Sequence, residues 1–198
     1  MILTDRDKQL LRHIEQYKFT TIQQATDLFF RDRKYGYDMA RKRLNLMVRE
    51  DKLLAMKDFK SGLNIYSLDK IKTPSPSDIL LMDFYCKLIT EGCEVLMFEK
   101  EYRILDGKIR SDGFCIFKFC NYMMYSFVEV QLRHAFPDVA KYEMLYKSNE
   151  FQKQFETDVF PTLIVISDVD YREVPKSNLF NVVQFDHQFN QFAKLFIS

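Results

Sequence analysis

Two prolines in the stretch Thr73-Pro74-Ser75-Pro76-Ser77-Asp78 interrupt a chain that elsewhere alternates between helical and strand-like patterns. Proline lacks an amide donor and restricts the residue before it, so neither a helix nor a sheet passes through this stretch. It reads as a boundary between residues 1–72 and 77–198, or as a tight corner. The charge divides at the same place. Residues 1–72 hold sixteen Lys and Arg against ten Asp and Glu, and residues 73–198 hold thirteen against eighteen. A net charge of +1 for the whole therefore hides a basic first part and an acidic second part. A basic region of this kind suits a polyanionic partner.

Before the prolines, three helical patterns precede two strand-like ones. Thr4 is placed to cap a first helix, with Asp7 in the position of a capping-box acid, and Leu10, Leu11, Ile14 and Tyr17 follow at helical spacing. A second start lies at Thr20-Thr21, ahead of Ile22, Ala25, Leu28 and Phe29. After a basic connection ending at Gly36, the pattern predicts a third helix over 37–49. Residues 52–57 and 63–68 then read as strands joined by a turn through Ser61-Gly62. This order predicts a winged helix-turn-helix over 1–72.

On a helical wheel, Tyr37, Ala40, Leu44, Met47 and Val48 of the third helix share one side. Asp38, Lys42, Asn45 and Arg49 lie opposite, with Arg41 and Arg43 on the flanks. Arginine, lysine and asparagine are the side chains that read base edges in the major groove and neutralise phosphates. The expected DNA-binding residues are thus Arg41, Lys42, Arg43, Asn45 and Arg49, with Lys57 and Lys60 of the wing on the backbone. The alternative is an ordinary solvated basic face. His13 reads as surface or core-edge.

The second part predicts a helix from Ser77 or Asp78 to about Thr90 and a strand over 93–98. A hairpin turn follows at Asp106-Gly107, then strands over 109–119 and 124–132 joined near Cys120-Asn121. Pro137 opens a helix, and Thr162–Ile166 reads as a strand buried on both faces. The fold class is α+β, the second domain having a central mixed sheet. Acids interrupt two of the apolar strands at Asp112 and Glu129. A turn centred at Cys120-Asn121 sets Asp112 across from Glu129; a shift of one residue sets it across from Gln131. Paired acids in a sheet repel unless a cation or proton compensates. The candidates are a divalent metal or Arg110, Lys108, Arg133 or Lys141. The rings of Phe114, Phe117, Phe119, Tyr122 and Tyr125 suit either a core or a partner surface.

The motifs LTDRDKQLLRHI, R-S-D-G-F, F-V-E-V-Q and K-Y-E-M-L-Y, with the basic third helix, resemble the replication-relaxation family of plasmid and mobile-element proteins. The resemblance implies a winged helix followed by a domain like the PD-(D/E)XK nuclease core. It makes Asp112 the metal-binding acid and Glu129 the acid of the second strand, with Glu91 or Glu94 as a further acid. It also places Gln131 where an active nuclease carries lysine. A neutral amide activates water poorly, so the resemblance implies a non-catalytic, sequence-specific duplex-DNA-binding accessory protein or transcriptional regulator. Its partners would be DNA, a replication or relaxation protein, or a second copy. The alternative is an endonuclease using Asp112, Glu129 and Mg²⁺; no cofactor is expected otherwise.

Cys86, Cys93, Cys115 and Cys120 have no paired ligand spacing, which predicts buried free thiols rather than a zinc site. The acidic start and the lack of a long apolar run predict a cytoplasmic protein with no membrane span.

Overall fold

A computed structural model describes residues 2–58, 61–132, 138–168 and 176–196. Lys60, Arg133 and Pro137 lie outside them. The chain is mixed α and β, with six helices and a five-stranded mixed sheet among the described residues. It divides into two compact units, Met1–Ser75 and Pro76–Ser198.

In the first unit α1 (Asp5–Tyr17) starts as expected. Asp7 N–H donates to Thr4 Oγ1 at 3.3 Å, and Thr4 N–H donates to Asp7 Oδ2 at 2.6 Å. A two-residue strand, β1 (Thr20–Thr21), leads into α2 (Ile22–Ala25), where Thr21 and Gln24 form a second capping box. The helix runs on through a π-helical turn, Thr26–Phe30, and α3 spans Gly36–Arg49. Gly36 is required by close approach, because a Cβ there would overlap the backbone carbonyl oxygen of Phe30. The strands β2 (Leu54–Lys57) and β3 (Asn64–Ser67) form an antiparallel hairpin, and β1 adds to the far side of β3.

Leu10 and Ile14 of α1, Ala40, Leu44 and Met47 of α3, and Tyr66 of β3 belong to one buried cluster. Tyr37 does not join it. It is 49 % exposed, in the first turn of α3. Of the two readings of His13, surface or core-edge, the surface one fails: the ring is buried, packed beside the Tyr17 and Phe29 rings. Burial pushes its imidazole pKa down to about 4.

The second unit begins with α4 (Pro76–Thr90) and β4 (Glu94–Lys100). A small separate hairpin, β5 (Arg103–Ile104) and β6 (Ile109–Arg110), turns through Asp106-Gly107. The long strands β7 (Gly113–Phe119) and β8 (Tyr122–Val130) meet at Cys120-Asn121, two residues with positive φ. The strand expected over 109–119 is therefore broken at Ser111-Asp112, where the chain leaves the small hairpin and enters the main sheet. The helices α5 (Val139–Ser148) and α6 (Glu150–Phe155) precede β9 (Thr162–Ile166) and β10 (Val182–Phe185).

The sheet order is β10-β9-β8-β7-β4. β4, β7 and β8 pair antiparallel, whereas β9 and β10 add in parallel. Phe114, Phe127, Leu163 and Val165 on one face pack with Tyr142 and Leu145 of α5 and Phe151 of α6. On the other face Gly113 backs onto Leu81 of α4, whose side chain fills the space a Cβ would need. Helices on both faces explain why Leu163 to Ile166 are all fully buried. Among the rings of uncertain role, Phe114 and Phe117 are core, whereas Tyr122 is exposed. Cys86, Cys93 and Cys115 are buried, but Cys120 is exposed at the β7–β8 turn and not buried as expected. Among the described residues no helix is long and apolar enough to cross a membrane.

Candidate nucleic-acid interface and acidic cluster

The buried stripe of α3 turns its opposite face outward. Arg41, Lys42, Asn45 and Arg49 are exposed there, and Lys57 is exposed on β2. Lys42, Arg49 and Lys57 form no ion pair among the described residues, so their charges are available to a ligand. Arg41 donates to Asp38 Oδ1 at 3.0 Å, one turn earlier on the same helix. The phenolic O–H of Tyr66 donates to Asn45 Oδ1 at 3.0 Å.

Arg43 departs from the expectation of a DNA contact. Its guanidinium forms a two-pronged ion pair with Asp7, in which Nε donates at 2.7 Å, and its Nη2 also donates to the carbonyl oxygen of Ile2. Burial pushes the Asp7 carboxyl up, but the bonds from Arg43 and from Thr4 outweigh it and hold the pKa below the usual value. One carboxylate thus caps α1 and ties it to α3. Arg43 is a strut between helices because the flank it occupies faces α1 rather than solvent. The first half of this arrangement was visible as a capping box. The second half joins residues 36 apart and leaves no local pattern.

In the second unit Gly113 pairs with Val128, which sets Asp112 across from Glu129 and not from Gln131. Asp112 Oδ2 accepts the Val130 N–H at 2.7 Å. Glu129, 7 % exposed, accepts from Lys141 Nζ at 2.6 Å and from the Tyr142 hydroxyl at 2.5 Å, both through Oε1. Burial raises the Glu129 pKa, the bonds from Lys141 and Tyr142 pull it down, and the Asp112 charge raises it again; the net direction is upward. Burial and the Glu129 carboxylate push the Tyr142 phenol far up, so it stays a proton donor.

Among the cations considered for neutralising the acids, Lys141 does so, while Arg110 pairs with Glu101. Tyr142 went unremarked as a site residue, although it stands beside Lys141 in K-Y-E-M-L-Y. Gln131 lies just beyond β8, its backbone N–H donating to Ile166, and its side chain bonds neither acid among the described residues. The two further acids do not arrive. Glu91 pairs with Lys87 in the last turn of α4, and Glu94 sits opposite Lys118, at the far end of β4 from Gly113. No group of three His, Cys, Asp or Glu suited to a metal forms among the described residues. Two carboxylates are a minimal set for Mg²⁺, which fills its remaining positions with water, and the Lys141 ammonium competes for one of them.

Compared with family models, curated proteins and solved structures, the chain matches none. The likeness to the replication-relaxation family rests on its short motifs.

Proposed function

We propose that the chain is a sequence-specific duplex-DNA-binding protein, an accessory factor or transcriptional regulator of a plasmid, phage or mobile element. In this reading Met1–Ser75 is a winged helix, α3 enters the major groove, and the β2–β3 hairpin lies on the backbone. The element order α1, β1, α2, α3, β2, β3 supports it. The observation that carries it is the outward face of α3, where Lys42 and Arg49 stand exposed, without ion pairs among the described residues, beside Arg41 and Asn45. Cations held by no protein acid bind phosphate without first breaking an internal bond.

The test is binding of the full chain to labelled duplex across a salt series. Lys42→Ala and Arg49→Ala each lower the magnitude of the salt slope by about one and weaken binding alike on all sequences. Unchanged affinity in both removes α3 from the interface. Lys57→Ala on the wing has a smaller effect in the same direction.

The Pro76–Ser198 unit is read as a nuclease-like domain without activity. The order α4, β4, β7, β8, α5, β9 suits that reading, and so does Gln131 at the lysine position. A second reading, a metal-dependent endonuclease, is favoured by the convergence of Asp112, Glu129 and Lys141. Nicking of supercoiled plasmid in Mg²⁺ or Mn²⁺ that disappears in Asp112→Ala establishes it. No nicking leaves the binding role alone.

A further inference from the structure

Two side chains on the exposed face of α3 are held by partners. The Tyr66 hydroxyl comes from a residue only 1 % exposed, reaches across 21 residues of sequence, and donates to Asn45 Oδ1 at 3.0 Å. The Asp38 carboxylate holds Arg41 at 3.0 Å. Arg41 and Asn45 are four residues apart, hence neighbours on one side of the helix about 6 Å apart along its axis.

A free asparagine amide rotates to show either its oxygen or its NH₂ to a base edge, and with both it pairs adenine. Here the carbonyl oxygen is turned toward the protein. Burial raises the Tyr66 pKa, so its hydroxyl keeps the proton that it donates. Asn45 is therefore left to present its two N–H groups, and Arg41, which has no acceptor, presents N–H groups beside them. Two donors one turn apart complement an edge made of acceptors. In the major groove that is the N7 and O6 edge of guanine, which alone offers two acceptors; thymine offers one beside its methyl group, and cytosine and adenine each show an amino donor.

Resting on the proposal of DNA binding through α3, the geometry points to Asn45 and Arg41 as readers of guanine acceptor edges, with Tyr66 as a positioning residue that sets the direction of the Asn45 amide. Lys42 and Arg49, which no acid holds among the described residues, serve the phosphates. Affinity and base preference are thus divided between different residues of one helix.

The experiment uses the full chain and duplexes that it enriches from a randomised pool, with each guanine replaced in turn by 7-deazaguanine, which lacks the N7 acceptor. Wild type loses about tenfold in affinity at one or two guanines, the scale of a single base contact. Tyr66→Phe keeps the core ring and removes only the hydroxyl. At the guanine read by Asn45 it binds guanine and 7-deazaguanine alike, with its salt slope on unrelated duplex unchanged. Asn45→Ala, at an exposed position, behaves the same way. Full discrimination retained in both variants, or no guanine that matters, overturns the assignment while DNA binding stands. Failure to bind any duplex overturns DNA binding as well.

Discussion

Each unit of the chain buries an acid against a cation from a distant element, and the two pairs behave in opposite ways. In the first unit Asp7 accepts from Arg43, from the Thr4 hydroxyl and from the Thr4 N–H, and its pKa is held below the ordinary value of 3.8. In the second unit Glu129 accepts from Lys141 and Tyr142, and its pKa stands above the ordinary value of 4.5. Both carboxylates are nearly inaccessible to water, but more protein surrounds Glu129, so burial raises it more strongly than Asp7. The donors differ as well. Arg43 grips both oxygens of Asp7, whereas Lys141 and Tyr142 crowd onto Oε1 of Glu129, with the negative charge of Asp112 close by. Depth of burial, together with the number and spread of donors, decides whether a buried carboxylate favours its charge.

Removing the acids tests this difference most directly. Asp7→Ala removes the partner of the Arg43 guanidinium and opens the α1 cap, and is expected to cost about 2–3 kcal/mol in urea unfolding followed by amide exchange in the first unit. Glu129→Gln keeps an acceptor for Lys141 and Tyr142 and is expected to change the second unit by less than about 1 kcal/mol. Equal losses in the two variants break the comparison.

Acid sharpens it. His13 has a folded pKa of about 4 against an ordinary 6.5, so its contribution is present above pH 6.5 and is lost as pH falls through about 4. This costs the first unit roughly 3 kcal/mol, and the loss is absent in His13→Phe. Asp7 has a lowered pKa as well, and its contribution fails only below 3.8. Glu129 has the opposite sign. Its contribution is complete below 4.5 and is lost as pH rises through its raised folded value. Between pH 6.5 and 4.5 the protection of amides, taken relative to their intrinsic exchange rates, thus falls in the first unit and rises or holds in the second. A parallel fall in both contradicts the assignment.

A smaller effect isolates backbone from charge. Gly36→Ala forces the start of α3 away from the Phe30 carbonyl and is expected to cost about 1–3 kcal/mol in the same unfolding measurement, without altering the pH profile.

What was legible in the sequence was local. The Thr4 cap, the Ala40, Leu44 and Met47 stripe, the Asp106-Gly107 turn and the β-branched run of β9 each lie within a few residues and carry their own geometry. The register that sets Asp112 across from Glu129 was one of two readings, because it depended on where the turn at Cys120-Asn121 was centred. Partnerships across long separations left no trace. Nothing near Arg43 marks Asp7 as its partner, nothing near Asn45 marks Tyr66, and β1 is too short to have a period. Helical phase alone placed Tyr37 with the core and gave no sign that Arg43 is held by Asp7. It does not reveal which neighbour covers each flank.

The mixed sheet has a consequence for how the second unit is made. β4, β7 and β8 pair antiparallel through short connections, but β9 reaches β8 only after α5 and α6 have been synthesised. Parallel partners close late and slowly, since a long loop must lose its freedom before any ladder bond repays it. During translation the outer rim of β8 therefore waits with bare amides and apolar side chains, and that interval is when a nascent chain of this design is most prone to stick to its neighbours.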